Sequence, residues 1–336
     1  MNAFTTLGDG IDLLKSIEIS TPEIKSDEIL VKVLAASLNY RDLLVVKGVE
    51  SWKPTSARIP VSDGVGQVIA VGEGVLRWKA GDLVAGIFLP RWLEGELTPE
   101  KYVRPLGGAT ADGILAQYVA FDQDSVVKIP ASLTLTEAAT LPVAALTAWH
   151  AVSRRSRVQI GESVLIQGTG GVSLFAAQFV HALGGQPIVT SSSAEKLARA
   201  RELGAAATIN YRNFPDWDRQ VLELTNGKGV DHVIEVVGGE NLNRSLNAVK
   251  LSGAICFIGL MAGFSAPINT YQFVTKNVRI HGIETGSREM FEEMNRFIEL
   301  HHIKPVIDKA FAYNESREAL KYLESGAHFG KIVLEY

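Results

Sequence analysis

The sequence predicts an α/β protein in which a doubly wound parallel sheet is joined to a separate domain of antiparallel, barrel-like β structure. Three observations support this fold class. Strand and helix patterns alternate from residue 133 onward, a glycine-rich turn connects the first strand of that series to a helix, and the first 130 residues contain short strands with frequent glycines. The chain therefore combines two kinds of sheet.

Length and composition are those of an ordinary globular protein. The 336 residues, 46% hydrophobic and 21% charged, are enough for about two domains with sizeable cores. The net charge of -4 without a dense basic run argues against a nucleic-acid partner. No stretch predicts a membrane helix or a signal peptide, so we expect no membrane partner and a cytoplasmic location. The single cysteine, Cys256, permits neither an intramolecular disulfide nor a cysteine-built metal cluster.

The strands of the barrel-like domain are predicted in the first third of the chain. Residues 28–36 alternate loosely and then become apolar, and residues 64–72 form an apolar run with glycines that indicates a bent strand. Residues 81–86 form another short apolar run. Residues 89–110 are polar and aromatic, which predicts a long loop.

The parallel sheet is predicted from the alternation of elements after residue 133. Apolar runs that predict strands lie at 164–166, 187–190, 208–211, 230–238 and 254–259, and helical periodicity lies at 172–183, 194–203, 216–224 and 241–249. Residues 277–283 predict an edge strand of the same sheet. The remaining sequence predicts helices at 288–301 and 316–326 and a final strand at 331–334.

The turn after the first of these strands is the candidate phosphate-binding element. Without a Cβ atom, Gly168 and Gly170 permit a sharp turn and the close approach of a ligand, and Gly171 and Val172 open the following helix. Amide groups and the helix dipole at that N-terminus favour a pyrophosphate. Ser173 stands where the usual G-x-G-x-x-G pattern has its third glycine. In its strand-turn-helix context, the turn predicts a dinucleotide-binding site.

The end of the second strand predicts which dinucleotide binds. An NAD site carries an acidic residue there, about 20 residues after the first glycine, to hold the ribose hydroxyls. This chain has Ser191 and Ser192, followed by Lys196. With no carboxylate to repel a 2′-phosphate, and with two hydroxyls and an ammonium available, the pocket predicts NADPH (NADP) as the cofactor. The alternative is that Ser193 caps the next helix and Lys196 is a solvated surface charge.

A series of further motifs runs along the whole chain. Besides the glycine turn, it comprises residues 38–44, 62–66, 79–84, 141–149, 229–238 and 329–333. In this order the motifs resemble those of the medium-chain dehydrogenase/reductase superfamily, in particular its zinc-independent, quinone oxidoreductase-like members. The resemblance implies a GroES-like β-barrel catalytic domain formed by residues 1–130 and 286–336. It also implies a Rossmann dinucleotide-binding domain, residues 131–285, inserted between them.

The resemblance allows the metal sites of the zinc alcohol dehydrogenases to be tested position by position. Where those enzymes have a cysteine, a histidine followed by glutamate, and another cysteine, this chain has Asn39, the pair Ser62–Asp63 and the surroundings of Pro142–Val143. Residues 88–108, which match their structural zinc lobe, contain no cysteine. Zinc requires three or four convergent sulfur, nitrogen or carboxylate ligands, which one carboxylate cannot supply. We therefore predict no metal site.

The resemblance also implies roles for individual residues. Tyr40 matches the mouth of the family's active site and is the candidate proton donor; the alternative is a packing tyrosine, with solvent as the proton source. Asn39 is a candidate contact to substrate or nicotinamide, and Trp52 and Trp92 are candidates either for an apolar lid or for loop anchors. The implied cofactor contacts are Thr147, Gly238, Gly259 and Leu260 around the nicotinamide and ribose, Tyr211 with Lys196 at the 2′-phosphate, and Lys331 near the pyrophosphate.

The predicted activity is metal-free hydride transfer from NADPH to a quinone or an α,β-unsaturated carbonyl compound. Hydride addition to a simple ketone concentrates charge on one oxygen, whereas a conjugated acceptor spreads the charge and needs positioning and a modest proton source. Two alternatives stay open: an alcohol or aldehyde dehydrogenase-type oxidoreductase of the same superfamily, and a non-catalytic NADPH-binding or sensing protein. The edge strand at 277–283 favours a homodimer, since relatives commonly join sheets there.

Overall fold

The structure, a computed structural model, describes residues 1–336, and their contacts divide the chain into two compact units. The first unit consists of Met1–Leu146 and Thr285–Tyr336, and the second consists of Thr147–Glu284. In the sequence, the second unit is therefore an insertion in the first.

The N-terminal segment of the first unit is mostly β structure. Its elements are β1 (Asn2–Thr5), β2 (Lys15–Glu18), β3 (Glu28–Leu38), α1 (Tyr40–Lys47), β4 (Asp63–Val71), β5 (Leu83–Gly86), β6 (Tyr118–Asp122), β7 (Val126–Lys128) and α2 (Leu135–Ala138). The three strands predicted from the sequence are β3, β4 and β5. The predicted loop at 89–110 contains neither helix nor strand.

The second unit alternates strands with helices. After α3 (Leu146–Trp149) come β8 (Ser163–Gln167), α4 (Gly171–Ala182), β9 (Gln186–Ser191), α5 (Ala194–Glu202), β10 (Ala207–Asn210), α6 (Trp217–Leu224), β11 (Val230–Glu235), α7 (Asn241–Ala248), β12 (Val249–Phe257), α8 (Thr270–Thr275) and β13 (Arg279–Gly282). Two π-helical segments flank α3 in the sequence: Leu141–Ala145, which belongs to the first unit, and His150–Ser156, which belongs to the second.

The six strands of the second unit form one parallel sheet in the order β10-β9-β8-β11-β12-β13. This order confirms the predicted doubly wound arrangement, and β13 confirms the predicted edge strand. Leu165, Val233 and Ile255, in β8, β11 and β12, have no exposed surface. Such apolar residues are expected in parallel strands that are buried on both faces.

The C-terminal segment returns to the first unit. Its elements are α9 (Arg288–His301), β14 (Ile307–Ala312), α10 (Ser316–Glu324) and β15 (Lys331–Glu335). They complete a seven-stranded sheet in the order β14-β15-β3-β4-β5-β7, with β6 paired to β3, and every pair except β14–β15 is antiparallel. None of the helices combines the length and the apolar composition needed to cross a membrane.

The first unit extends past residue 130, where the sequence places the domain boundary. Helix α2 packs against β3 and β4, and the N–H of Val143 donates a 3.4 Å hydrogen bond to Asp63 at the start of β4. The contacts therefore assign residues 131–146 to the first unit. The domain boundaries given by the resemblance stay a prediction.

Candidate functional site

The glycine turn joins β8 to α4, as the sequence predicts. Gly168 has a φ of +73°, a left-handed conformation that favours glycine, and Gly170 is the N-cap of the 12-residue helix α4. A Cβ atom built on Gly170 meets no atom within 4 Å, so the space beside the turn is open. Gly171 and Val172 are the half-buried first residues of the helix. The turn therefore fits the pyrophosphate of a dinucleotide.

Ser173, at the position of the third glycine, supports the turn. Its buried hydroxyl donates a 2.7 Å hydrogen bond to the carbonyl of Gln167, the last residue of β8. The N–H of Gly168 donates at 3.4 Å to the hydroxyl of Thr190, which links the turn to the end of β9. Thr190 was not predicted from the sequence; the available signal is a hydroxyl residue at the end of an apolar strand.

A buried carboxylate joins the carboxyl ends of β8 and β11. Glu235 has no exposed surface and accepts hydrogen bonds from the side chain of Gln167 at 2.8 Å and from the N–H of Gly238 at 3.0 Å. Asn241 and Ser245 of α7 also donate to it. Glu235 was not predicted from the sequence. The available sequence signal is a lone carboxylate at the end of an apolar strand. A buried charge needs hydrogen-bond partners, so such a residue predicts a polar network around it.

Gly238 and Gly259 pack backbone to backbone where the chain leaves β11 and β12. Gly238 has a φ of +73°, and a Cβ on it would lie 2.5 Å from the carbonyl oxygen of Gly259. A Cβ on Gly259 would overlap the carbonyl of Val236. Leu260 follows and is half-buried. The structure thus brings these three predicted cofactor contacts together through an approach that requires glycine.

The predicted 2′-phosphate site lies at the ends of β9 and β10. The N–H of Tyr211 donates a 3.1 Å hydrogen bond to the carbonyl of Ser191, so these two residues are adjacent. Ser191 is buried, whereas Ser192 and Lys196 are half-buried and Tyr211 is 41% exposed. Ser193 is the N-cap of α5, and its hydroxyl accepts a 3.3 Å hydrogen bond from the N–H of Lys196, which confirms the capping alternative for that serine.

Thr147 is buried within α3, between the two π-helical segments. π-Helical segments are rare and occur often at functional sites. The sequence does not predict them, because the i to i+5 pattern has no residue signature comparable to a cap or a breaker. The role of Thr147 toward the nicotinamide stays a prediction.

In the first unit, three neighbouring strands bring distant residues together. The antiparallel register of β15 against β3 places Lys331 beside Asn39, the residue that follows β3. The register of β3 against β4 places Asp63 opposite Ser37. We refer to Asn39, Asp63 and Lys331 as the Lys331 cluster.

The ammonium of Lys331 is the centre of this cluster. It donates hydrogen bonds of 2.6 Å to the carbonyl of Leu38 and to Oδ1 of Asn39, and it lies 3.8 Å from Oδ2 of Asp63. Lys331 is 3% exposed and Asp63 is fully buried. Burial raises the pKa of Asp63 to about 6 and lowers the pKa of Lys331, and the attraction between the two charges opposes both shifts.

The same contacts fix the orientation of the Asn39 amide. An ammonium can only donate, so its partner on Asn39 is the oxygen, and the amide nitrogen points the other way. That nitrogen lies 3.4 Å from the hydroxyl of Ser62, to which it donates. Asn39 is 9% exposed, so most of its surface is used inside the first unit.

Asp42 and Arg41 stabilise the start of α1. The N–H of Asn39 donates a 2.8 Å hydrogen bond to Asp42, and the guanidinium of Arg41 donates to the same carboxylate at 2.9 Å. The guanidinium also lies 5.3 Å from the ring centre of Trp52 and 4.9 Å from that of Phe88. These contacts give both charged residues a structural role.

Two of the residues predicted around a substrate, Tyr40 and Trp92, differ in exposure. Tyr40, the first residue of α1, is 41% exposed, which does not support the alternative of a packing tyrosine. Trp92 is 1% exposed, and its indole N–H donates a 2.8 Å hydrogen bond to the carbonyl of Gly95. Trp92 therefore anchors its loop and does not form a lid.

Comparisons with known proteins identify the family of the chain. The profile of the alcohol dehydrogenase GroES-like domain matches residues 25–131, and that of the zinc-binding dehydrogenase family matches residues 171–299. A zinc-type alcohol dehydrogenase-like protein of Schizosaccharomyces pombe is 42% identical over 333 residues, which cover 97% of this chain and 96% of that protein. The chain belongs to the medium-chain dehydrogenase/reductase superfamily.

The names of similar members of the superfamily describe different activities. The 2-methylene-furan-3-one reductase of Solanum lycopersicum is 31% identical over 99% of this chain and 78% of that protein. The crystal structure of a putative alcohol dehydrogenase from Sinorhizobium meliloti 1021 is 39% identical, with a TM-score of 0.92 over 100% of both chains. A 2-octenoyl-CoA carboxylase reductase in complex with NADP and 2-octenoyl-CoA is 25% identical, with a TM-score of 0.86 over 99% of this chain and 87% of that one.

Membership in the superfamily makes the chain an oxidoreductase that uses NAD or NADP. The doubly wound sheet of the second unit is its Rossmann domain, and the β structure of the first unit is its GroES-like domain. The site residues predicted from the sequence occupy both, and their roles toward cofactor and substrate remain predictions.

The superfamily includes zinc enzymes, but the residues at the matching positions do not fit a zinc ion. The groups at these positions are the amide of Asn39, the hydroxyl of Ser62 and the carboxylate of Asp63. The ammonium of Lys331 already lies between Asn39 and Asp63. No three histidine, cysteine, aspartate or glutamate side chains are grouped to hold a metal. Zinc in proteins is held by thiolates, imidazoles and carboxylates, of which this set supplies one.

Proposed function

We propose that this protein is an NADPH-dependent oxidoreductase that transfers hydride to a quinone or an α,β-unsaturated carbonyl acceptor without a metal ion. The Lys331 cluster is the observation that carries the proposal. Its amide, ammonium and single carboxylate replace the ligands that a metal-dependent alcohol dehydrogenase requires. The acceptor must therefore tolerate the developing negative charge without a Lewis acid.

Conjugated acceptors meet that requirement. Hydride addition at one end of an enone or quinone moves an electron pair onto a conjugated oxygen, and one proton completes the reduction. Because the charge is spread, correct positioning and a modest acid are enough. A saturated alkoxide gains no such delocalisation, so its formation depends more on a metal ion or a strong array of donors.

Different residues of the chain bind the cofactor and supply the proton. Bound NADPH supplies the hydride. The turn at Gly168, Gly170, Gly171 and Val172 holds the pyrophosphate, and Thr147, Gly238, Gly259 and Leu260 surround the ribose and nicotinamide. Ser191, Ser192, Lys196 and Tyr211 hold the 2′-phosphate, where no carboxylate repels it. Tyr40 donates the proton to the reduced acceptor, and Asn39 lies directly before it.

The relatives support two candidate functions. The name of the tomato relative describes a reductase of a conjugated methylene ketone, which is the proposed class of acceptor. The names of the fission-yeast relative and of the Sinorhizobium structure support the second candidate, an alcohol dehydrogenase-type oxidoreductase. The donor set of the Lys331 cluster favours the first.

One experiment separates the candidates. The purified protein is assayed for NADPH and NADH oxidation with quinones, enones and aldehydes, for NADP reduction with alcohols, and for bound zinc. We expect turnover with NADPH and a conjugated acceptor. Tyr40→Phe should lose this activity, whereas the exposed control Tyr271→Phe should keep it. Faster alcohol oxidation or stoichiometric zinc contradicts the proposal. Tight NADPH binding without turnover indicates a binding or sensing protein.

We also propose a homodimer that joins the two copies of the edge strand β13. The strand pairs with β12 on one side only, which leaves the backbone groups of Arg279–Gly282 available on the other. Sedimentation analysis should give twice the mass of the chain. A monomeric mass contradicts this proposal without affecting the proposed activity.

A further inference from the structure

We propose that Lys331, with Asp63 as its counter-ion, is a positioning residue that holds the corner between β3 and α1 and thereby fixes Tyr40 for proton transfer. This inference rests on the proposed function, in which Tyr40 donates the proton. It assigns Lys331 a role different from the predicted contact with the pyrophosphate.

The two hydrogen bonds that Lys331 donates are accepted by consecutive residues. Its ammonium donates 2.6 Å bonds to the carbonyl of Leu38 and to Oδ1 of Asn39, and Tyr40 is the next residue. Tyr40 is also the first residue of α1. One buried group therefore fixes the backbone and the side chain immediately before the candidate proton donor.

The backbone at this corner is held by two buried side chains, Asp42 and Lys331. Leu38 ends β3, and the helix that begins at Tyr40 extends only to Lys47. Backbone groups at such a junction need partners outside the regular elements. The N–H of Asn39 is held by Asp42, which leaves the Leu38 carbonyl and the Asn39 amide oxygen to Lys331. Loss of the ammonium releases both acceptors at once.

The surroundings of Lys331 do not resemble those of a phosphate contact. The side chain is 3% exposed, and two acceptors and one carboxylate already surround its ammonium. An ammonium has three N–H donors, and two of them are already used inside the first unit. Here the charge is kept inside the first unit, and Asp63 offsets its burial at 3.8 Å.

The main test uses the double variant K331Q/D63N, which removes both buried charges and leaves neither one unpaired. Acceptor reduction is measured at saturating NADPH, together with the Kd for NADPH from fluorescence titration. We expect kcat to fall by about 10-fold to 100-fold, as for a misplaced reacting group. The Kd should change by less than about 3-fold, because no cofactor contact is lost.

A cycle with Tyr40→Phe tests whether Lys331 acts through that phenol. If it does, adding K331Q/D63N to Tyr40→Phe changes kcat by less than about 2-fold, since coupled residues are not additive. Additive losses overturn the inference. So does a Kd for NADPH that rises by about 10-fold or more while kcat is retained, as expected for a lost charged contact to the cofactor.

A third readout does not depend on activity. In protein labelled with 3-fluorotyrosine, the ¹⁹F resonance of Tyr40 is assigned as the one that is absent from the spectrum of Tyr40→Phe. We expect this resonance to shift and broaden in K331Q/D63N, and to stay unchanged in Lys47→Met, which removes an exposed ion pair with Glu324 at the other end of α1. An unchanged resonance in K331Q/D63N overturns the inference, even for a protein that reduces no acceptor. Absence of turnover in the wild type instead contradicts the proposed function.

Discussion

The side-chain amide of Gln167 donates a 2.8 Å hydrogen bond to the buried carboxylate of Glu235, which joins two neighbouring parallel strands at the edge where both glycine turns begin. The same carboxylate accepts from the N–H of Gly238 at 3.0 Å, and the carbonyl of Gln167 accepts from Ser173. One network therefore aligns the phosphate-binding turn with the turn after β11.

We expect Glu235→Gln to weaken both folding and cofactor binding. A glutamine turns one acceptor oxygen into a donor that faces donor groups, which should cost about 1–3 kcal/mol of unfolding free energy. The misaligned turns should raise the Kd for NADPH by about 10-fold. Urea denaturation and fluorescence titration measure the two effects, with the exposed neighbour Glu240→Gln as the control. Unchanged NADPH affinity would show that the network is only structural.

Gly170→Ala should separate cofactor binding from stability. Gly170 has a φ of -81° and open space at its Cβ position, so the unfolding free energy should change by less than about 1 kcal/mol. The added methyl group occupies space that a pyrophosphate needs, and the Kd for NADPH should rise by at least about 10-fold. Gly161→Ala is the matched control. Its φ of +83° should cost about 1 kcal/mol without affecting the cofactor.

Ser191→Asp should reverse the preference between NADPH and NADH. Ser191 lies beside Tyr211 at the end of β9, where a carboxylate would repel a 2′-phosphate and accept from a ribose hydroxyl. We expect the ratio of the Kd for NADPH to that for NADH to rise by at least about 10-fold. Ser193→Ala, which removes the α5 cap, should cost about 1 kcal/mol and leave the ratio unchanged. A ratio that stays constant in Ser191→Asp argues against this 2′-phosphate site.

Local patterns predict the elements of the second unit well. The apolar run at 164–166, the glycine turn and the helical spacing after Val172 specify β8 and α4, because strand, turn and helix each have a distinct residue pattern. The edge position of β13 is also predicted, because its pattern is the last strand pattern of the second unit along the chain. These features depend on residues close together in sequence.

The polar networks are harder to predict because they depend on which strands become neighbours. Gln167 and Glu235 are 68 residues apart, and Asn39 and Lys331 are 292 apart. Only the order of strands in the sheets and the register of β15 against β3 bring these pairs together. The sequence offers a weaker signal, namely a charged residue in an apolar strand, which needs a buried partner but does not identify it.

The titration of Asp63 should make stability depend on pH in a defined direction. The pKa of this carboxyl is about 6 in the folded protein against an ordinary value of 3.8, because burial disfavours its charged form. Between these values the folded state keeps the proton that the unfolded state has released. The contribution of Asp63 to stability is therefore greatest below about pH 4 and is lost as the pH rises to about 6.

Asp63→Asn removes this dependence. The unfolding free energy of Asp63→Asn minus that of the wild type should increase by about 3 kcal/mol between about pH 4 and pH 7, since one pKa unit corresponds to about 1.4 kcal/mol. Urea denaturation of both proteins across this range measures the difference. The exposed control Asp9→Asn should give a nearly constant difference. If the difference for Asp63→Asn decreases with pH, the carboxyl is held ionised by Lys331 more strongly than burial opposes it, and the ion pair stabilises the first unit at neutral pH.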